Sequence, residues 1–312
     1  QAIPFQIYAI LAIIMIPLIA FTKIDFFQMK KAEQKAEKEK ADYNFTEHEA
    51  EKENTGVYSK KNAKPIMVIL PIIVVFVTLF ATLAPLGFPF KKVDGNEFRV
   101  ALTMGYFFGA LVLILMICLF KVMNFGETFK VYVGGMKGMT DVAITLILAW
   151  SLGSMISELG TAQFIVDVLK SMSFSAALVP AAIFLFGAFV SFSTGSSWGT
   201  FAIMMPLAIP MAQAFSIPFA IAVGAVLSGG LFGDHCSPIS DTTILSSTGA
   251  ECDLVEHVRT QLPYALVNGV IALIAFIIAG ATKSAVSLGF AVVALIVVVF
   301  VINKVFNKKA AA

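Results

Sequence analysis

Residues Leu227 to Thr243 read LSGGLFGDHCSPISDTT and place ionisable side chains inside a run that is otherwise apolar. The apolar run extends from Pro218 to Leu245, which is long enough to cross a bilayer. Two carboxylates and a histidine would therefore lie at membrane depth, where an ionisable side chain costs at least ~2.5 kcal/mol at the bilayer centre. We interpret this costly arrangement as a functional site.

The same stretch predicts a break in the helix. The glycines of residues 229–233 should loosen the end of a first half-helix, which we expect to end near Asp234. Pro238 cannot donate the hydrogen bond that a continuous helix needs. Ser237 followed by Pro238 predicts an N-cap and the first residue of a second half-helix, with Asp241 in its first turn.

The gap between the two half-helices should be rich in oxygen. Free carbonyls, hydroxyls and the carboxylates of Asp234 and Asp241 form a hard-oxygen set that suits a small cation. His235 is a proton-relay candidate, with capping of the broken helix as the alternative. The predicted neutral oxygen donors are Ser237, Ser240, Thr242 and Ser196.

A second polar tract interrupts the segment from Phe174 to Phe215. That segment has about 42 residues, or ~63 Å as a helix, about twice the hydrocarbon thickness. Residues 191–200, SFSTGSSWGT, carry no charge and are rich in hydroxyls. They predict a re-entrant hairpin tip or a broken crossing, with a surface loop as the third interpretation. If the tract is a hairpin tip or a broken crossing, the residues that line the cation path are Ser193, Thr194, Gly195, Ser197 and Thr200.

The composition is that of a membrane protein. The 312 residues are 58% apolar and 13% charged, which predicts an all-α polytopic protein, a transmembrane helix bundle with discontinuous or re-entrant helices. A net charge of +2 gives no support for a nucleic-acid partner. The three cysteines lack CxxC spacing, so neither a disulfide framework nor a zinc ribbon is predicted, and no cofactor is expected.

We expect three regions along the chain. Residues 1–22 form a transmembrane span, and residues 23–64 form a charged cytoplasmic loop. The loop is interpreted as a solvated helix and linker, with a regulatory or docking loop as the alternative, and its flanking lysines place it in the cytoplasm. Residues 65–312 form the transmembrane transporter domain, with broken elements near 191–200 and 229–243.

Two local expectations concern the ends of spans. The glycine-rich, amphipathic stretch Asn124–Thr140 predicts a helix in the membrane interface, followed by a separate span that begins at Thr140. The acidic stretch from Glu251 to Arg259 predicts a polar connector, followed by a plain span from Pro263 to Ala281.

Two motifs carry a family resemblance. Residues 232–243, FGDHCSPISDTT, and residues 193–200, STGSSWGT, strongly resemble the NhaC-type Na+/H+ antiporter family, and residues 260–264, TQLPY, also fit. The resemblance implies a multi-pass protein of the cytoplasmic membrane that forms one half of an inverted-repeat transporter. Since family members are longer than this chain, it also implies that an N-terminal portion is absent.

The function that the resemblance implies is exchange of Na+, or Li+, for protons by alternating access. The partners are then Na+, protons and the lipid bilayer, and a homodimer is left open. Some relatives exchange carboxylates, so a sodium- or proton-coupled organic-acid exchanger of the malate/lactate type is the alternative. Neither motif contains Lys or Arg, although helix N-termini can bind anions.

A different class, an intramembrane enzyme, would use His235 and Cys236 as metal ligands or as base and nucleophile. Adjacent residues are poorly spaced to chelate one ion, and no HExxH pattern occurs. We therefore predict a transporter and not an enzyme.

Overall fold

The chain is helical throughout the part that the structure describes. This computed structural model describes residues 2–25, 27–42, 63–250 and 252–309, and within these ranges it contains no β-strand. The predicted fold class, an all-α polytopic membrane protein, is confirmed. The described α-helices are α1 (Ile7–Thr22), α2 (Phe27–Asp42), α3 (Ile66–Leu83), α4 (Gly95–Leu119), α5 (Phe125–Glu158), α6 (Thr161–Ser171), α7 (Val179–Thr194), α8 (Ser197–Ala214), α9 (Phe219–Cys236), α10 (Asp241–Gly249), α11 (Leu254–Thr282) and α12 (Val286–Lys309).

Six segments among the described residues are long and apolar enough to cross a membrane. Two helix pairs reach the same criterion as bent spans, α1 with α2 at 43° and part of α5 with α6 at 58°. On either count the chain crosses the bilayer several times. The six segments are Ile66–Leu86, Gly95–Leu119, Ala176–Thr194, Phe219–Cys236, Leu254–Thr282 and Val286–Lys304.

The helices separate into two compact units. Gly56–Asp141 forms the smaller unit, in which α3 packs against α4. A Cβ on Gly105 would lie 3.0 Å from the carbonyl oxygen of Val75, and one on Gly109 would lie 3.2 Å from that of Pro71. Because residues four apart share a helix face, the two glycines let the helix backbones approach closely.

The larger unit comprises Gln1–Thr55 and Val142–Ala312 and has an aromatic centre. The ring of Phe184 on α7 stacks on Phe232 of α9 at 5.7 Å and on Phe276 of α11 at 5.4 Å between centroids. The ring of Tyr8 on α1 also contacts Phe232, at 5.2 Å between centroids. These rings hold α9, which carries the first polar motif, between α1, α7 and α11.

The predicted boundary at Thr140 is wrong. Residues 125–158 form one continuous helix, α5, where the sequence predicted an interfacial helix and a separate span. Glycine lowers helix stability by about 1 kcal/mol relative to alanine, but it does not end a helix. Gly134 and Gly135 are therefore accommodated within α5, and nothing lies within 4 Å of where their Cβ atoms would be.

The predicted polar connector before Pro263 is also wrong over most of its length. Helix α11 begins at Leu254, because the Asp253 side chain caps it by accepting the backbone N–H of Glu256 at 2.9 Å. His257 and Arg259 are consequently helical residues. Pro263 lies inside α11 and not at its start.

Part of the charged region 23–64 is the helix α2, which contacts α11. Residues 43–62 of this region lie outside the described residues. The cytoplasmic location of the region stays a prediction.

Candidate functional site

The two polar motifs meet where their helices are interrupted. Helix α7 ends at Gly195, which has a left-handed φ of +64°, and α8 begins after Ser196. A Cβ on Gly195 would lie 2.8 Å from the carbonyl oxygen of Ile239, in the break between α9 and α10. In addition, the Ser237 hydroxyl donates to the carbonyl of Phe192 at 2.9 Å. The interruptions therefore touch each other.

The glycines of α9 have a different role from the one predicted. They do not loosen the end of a half-helix, because α9 continues through them to Cys236. A Cβ on Gly229 would lie 2.3 Å from the carbonyl oxygen of Phe184, and one on Gly233 would lie 2.2 Å from that of Ala188. Because these glycines have no side chain, the backbones of α7 and α9 can lie in contact.

The break after α9 lies later than predicted. Ser237 is the C-cap of α9 and not the N-cap of the next helix, which begins at Asp241. Residues 237–240 form a turn in which Ser240 N–H donates to the Ser237 carbonyl at 3.3 Å. Pro238 is the second residue of this turn, where its fixed φ is favourable. Asp241 lies in the first turn of α10, as predicted.

Asp234 lies at the centre of a network of oxygen atoms. Its side chain is 3% exposed. The Ser240 hydroxyl donates to Asp234 Oδ1 at 2.9 Å, and the Thr242 hydroxyl donates to Asp234 Oδ2 at 3.3 Å. The two hydroxyl oxygens are 2.8 Å apart. A carboxylate with two hydroxyls is a set of hard oxygen ligands.

The second predicted carboxylate has a different environment. Asp241 is exposed, and its Oδ1 accepts the backbone N–H of Thr242 at 2.8 Å. It therefore lies at the start of α10, where the helix dipole favours a negative charge. The hydroxyls of Ser240 and Thr242 are directed to Asp234 and not to Asp241.

The hydroxyls of the second tract mostly stabilise helix ends. Ser196 caps α8 by accepting the backbone N–H of Gly199 at 3.3 Å, and Thr200 donates to the Ser196 carbonyl at 2.8 Å. Ser193 and Thr194 donate to carbonyls one turn earlier in α7, and Ser197 is buried at the start of α8. The predicted donor Ser196 is thus engaged in capping. Ser191, which was not predicted, donates to the Gly230 carbonyl at 2.6 Å and ties the two motifs together.

His235 contacts α1. Its Nδ1 lies 3.1 Å from the Tyr8 hydroxyl, and the rings meet edge to face at 5.6 Å between centroids. The His235 carbonyl accepts the side-chain amide of Gln261 at 2.8 Å. His235 and Tyr8 are 227 positions apart in sequence, and Tyr8 is 1% exposed.

A cavity of about 510 Å³ adjoins this network. It lies among α1, α10, α11 and the end of α9, and Thr242 lines it while also holding Asp234. Asp25 lines it as well, and accepts the Tyr264 hydroxyl at 2.9 Å. The cavity therefore borders the hydroxyl that holds Asp234.

Two polar atoms at this cavity are buried without a hydrogen-bond partner. They are Oδ1 of Asn268, whose side chain is 3% exposed, and Nε2 of His257. Both residues line the cavity, and both were missed from the sequence. Asn268 could have been noticed as a lone amide within the apolar run after Pro263. His257 could have been placed on a helix from Asp253, whose side chain is a typical N-cap.

The enzyme alternative gains no geometric support. Among the residues that the structure describes, no three His, Cys, Asp or Glu side chains are grouped so that they could hold a metal ion. Residues 195–199, GSSWG, match the GxSxG pattern of a nucleophile elbow, which requires a strand before the turn. Here the helix α7 precedes it.

The chain matches a known protein family over most of its length. Residues 1–281 match the profile described as the Na+/H+ antiporter family. The chain belongs to this family. The NhaC-type resemblance of the two motifs is thereby confirmed, and the family's members are membrane transporters and not enzymes.

Several curated proteins are similar to the chain. An uncharacterized protein of Haemophilus influenzae is 34% identical over 311 residues, which cover 95% of the chain and 57% of that protein. A malate-2H(+)/Na(+)-lactate antiporter of Bacillus subtilis is 38% identical over 29% of the chain and 19% of its own length. The Na(+)/H(+) antiporter NhaC of Alkalihalophilus pseudofirmus is 37% identical over 30% of the chain and 21% of its own length.

The chain spans little more than half the length of the Haemophilus relative and less of the other two. No solved structure matches the chain significantly. The family membership and the apolar helices together show that the chain is part of a multi-pass membrane protein.

Proposed function

We propose that the full-length protein exchanges Na+, or Li+, for protons across the cytoplasmic membrane by alternating access. The observation that carries the proposal is the buried carboxylate of Asp234, held by two hydroxyls beside the contact between two helix breaks. Discontinuous helices with polar groups at mid-membrane depth are the usual place for coupling ions in such transporters.

The exchange rests on two ligands competing for the same oxygens. When Asp234 is ionised, its carboxylate and the lone pairs of the Ser240 and Thr242 hydroxyls can coordinate Na+. When a proton binds Asp234, the negative charge that attracts Na+ is lost. Because a metal ligand must be deprotonated, the two ions exclude each other at one site.

Access runs through the cavity beside Thr242. Asp241, exposed at the start of α10, is proposed as the second carboxylate of the cation path. His235, hydrogen-bonded to Tyr8, is proposed as the proton relay, since histidine is the side chain that titrates most readily near neutral pH. Gly195 and the hydroxyl residues beside it are proposed to line the path where the breaks meet.

Organic-acid exchange is the second candidate. A cavity of about 510 Å³ is large enough for a small organic molecule, and one similar protein is named a malate-2H(+)/Na(+)-lactate antiporter. Among the residues that the structure describes, those that line the cavity include the carboxylate of Asp25 but no Lys or Arg. That charge favours a cation over an anion, so cation/proton exchange is the function that the site supports best.

A flux panel separates the two candidates. An outward proton gradient should drive uptake of Na+ and Li+ into proteoliposomes that contain the full-length protein, and neither malate nor lactate should change the initial rate. Matched liposomes without protein are the control. Accumulation of malate or lactate that depends on the ion gradient would replace cation/proton exchange with the organic-acid function.

The Thr242 hydroxyl should contribute directly to Na+ affinity. Thr242→Val removes one oxygen from the Asp234 network and should raise the apparent KM for Na+ at least about tenfold, since a hydrogen bond to a charged group contributes about 1.5–3 kcal/mol. Thr242→Ser keeps the hydroxyl and should stay near wild type in the same initial-rate Na+ uptake assay.

The matched control is Thr282→Val, which removes a hydroxyl that donates to the Ile278 carbonyl at the exposed end of α11. An unchanged KM in Thr242→Val would remove this residue from the cation site.

A further inference from the structure

A long apolar groove runs along one side of α11 and α12. Its volume is about 770 Å³, and it extends from Arg259 to Ile274 on α11, with Phe290 and Val298 among its α12 residues. The fifteen helical steps between these two residues correspond to about 22 Å. That length exceeds half of a hydrocarbon core of about 30 Å, which is the depth available to one acyl chain.

A basic pocket continues this groove at one end. The pocket has a volume of about 310 Å³ and is lined by Lys31, Lys35, Glu256 and Arg259, among others. Among the described residues that line it, basic side chains outnumber acidic ones, with Lys31, Lys35 and Arg259 against Glu256. Gln28 and Arg259 line both the pocket and the groove, so the two form one continuous site.

We propose that this continuous site binds one anionic phospholipid. The phosphate lies in the basic pocket against Lys31 and Arg259, and one acyl chain occupies the apolar groove. Arginine suits a phosphate because its planar guanidinium can donate two parallel hydrogen bonds. Basic pockets between helices at the membrane surface are recognised places for such headgroups.

Charge and shape together select a lipid over other occupants. A zwitterionic lipid would fill the groove but would bring no net negative charge to Lys31 and Arg259. A free phosphate ion would satisfy the pocket but would leave the groove empty. The bound lipid also connects two helices, since Lys31 and Lys35 lie on α2 and Arg259 and Glu256 lie on α11.

The proposal does not depend on the transport function, because binding is measured without flux. The full-length protein, purified in detergent, is titrated with phosphatidylglycerol, phosphatidylcholine or inorganic phosphate and examined by native mass spectrometry. We expect one phosphatidylglycerol per chain to bind at least tenfold more tightly than phosphatidylcholine, and inorganic phosphate alone not to be retained.

Variants test the two halves of the site separately. The double variant Lys31→Gln/Arg259→Gln should weaken phosphatidylglycerol binding at least tenfold, and Val270→Trp should do the same by filling the groove without changing charge. Lys283→Gln, which removes a basic residue at the opposite end of α11, is the control and should bind normally.

The outcomes that overturn the proposal are distinct. Equal binding of the two lipids, or normal binding by the double variant, would show that the pocket does not select the headgroup. Phosphate retention equal to that of the lipid would indicate a simple anion site. A dimer in lipid-free protein that Val270→Trp converts to monomer would make the groove an interface between copies.

Discussion

Asp234→Asn should abolish Na+ uptake and proton release together. The substitution preserves the size of the side chain and much of its hydrogen bonding, but it removes the charge and the titratable proton. Because Asp234 is the buried carboxylate that Ser240 and Thr242 hold, we expect exchange to fall at least about 100-fold. The measurement is paired Na+ uptake and internal pH recording in the same proteoliposomes.

The comparison variants make this result specific. Asp241→Asn should also lower exchange, but less, because Asp241 is exposed and bonds to the backbone N–H of Thr242. Asp94→Asn should leave exchange unchanged, since Asp94 is an exposed cap of α4 and asparagine caps equally well. Proton movement that persists in Asp234→Asn after Na+ uptake is lost would separate the two ions and contradict a shared site.

Gly195→Leu should abolish exchange because the contact between the two breaks has no room for a side chain. A Cβ would lie 2.8 Å from the Ile239 carbonyl oxygen and 2.9 Å from its carbonyl carbon, and these are backbone atoms that cannot rotate away. The left-handed φ of +64° adds about 1–2 kcal/mol of strain for any residue with a Cβ. We expect at least a tenfold loss of initial rate, with membrane insertion retained.

Gly160→Leu separates steric overlap from backbone strain. Gly160 has a similar φ of +67°, but nothing lies within 4 Å of its Cβ position. Gly160→Leu should therefore lower the stability of the folded protein through backbone strain without abolishing exchange. Normal flux in Gly195→Leu would show that the contact between the breaks is not part of the cation path.

The interruptions themselves were largely predictable from local sequence. Proline, glycine and hydroxyl residues in an apolar run indicate a break whatever the rest of the fold does. The exact end of α9 was not predictable, because glycine at 229 and 233 could either loosen a helix or permit close packing. The choice depends on α7, whose backbone lies against these positions.

The cavity was not predictable because it depends on contacts between distant segments. Tyr8 and His235 are 227 positions apart, and Asp25 and Tyr264 are 239 positions apart. No local pattern pairs them. The charged stretch before Pro263 also resembled a loop, and this concealed His257 on a helix that the Asp253 side chain caps.

The central claim is that Na+ and protons compete for the carboxylate of Asp234. It is tested most directly by measuring the initial rate of Na+ uptake against Na+ concentration at several pH values, equal on both sides of the membrane. We predict that acidification raises the apparent KM for Na+, by up to tenfold per pH unit for one competing proton, while saturating Na+ restores the maximal rate. A KM that stays constant while only the maximal rate changes with pH would contradict a shared site.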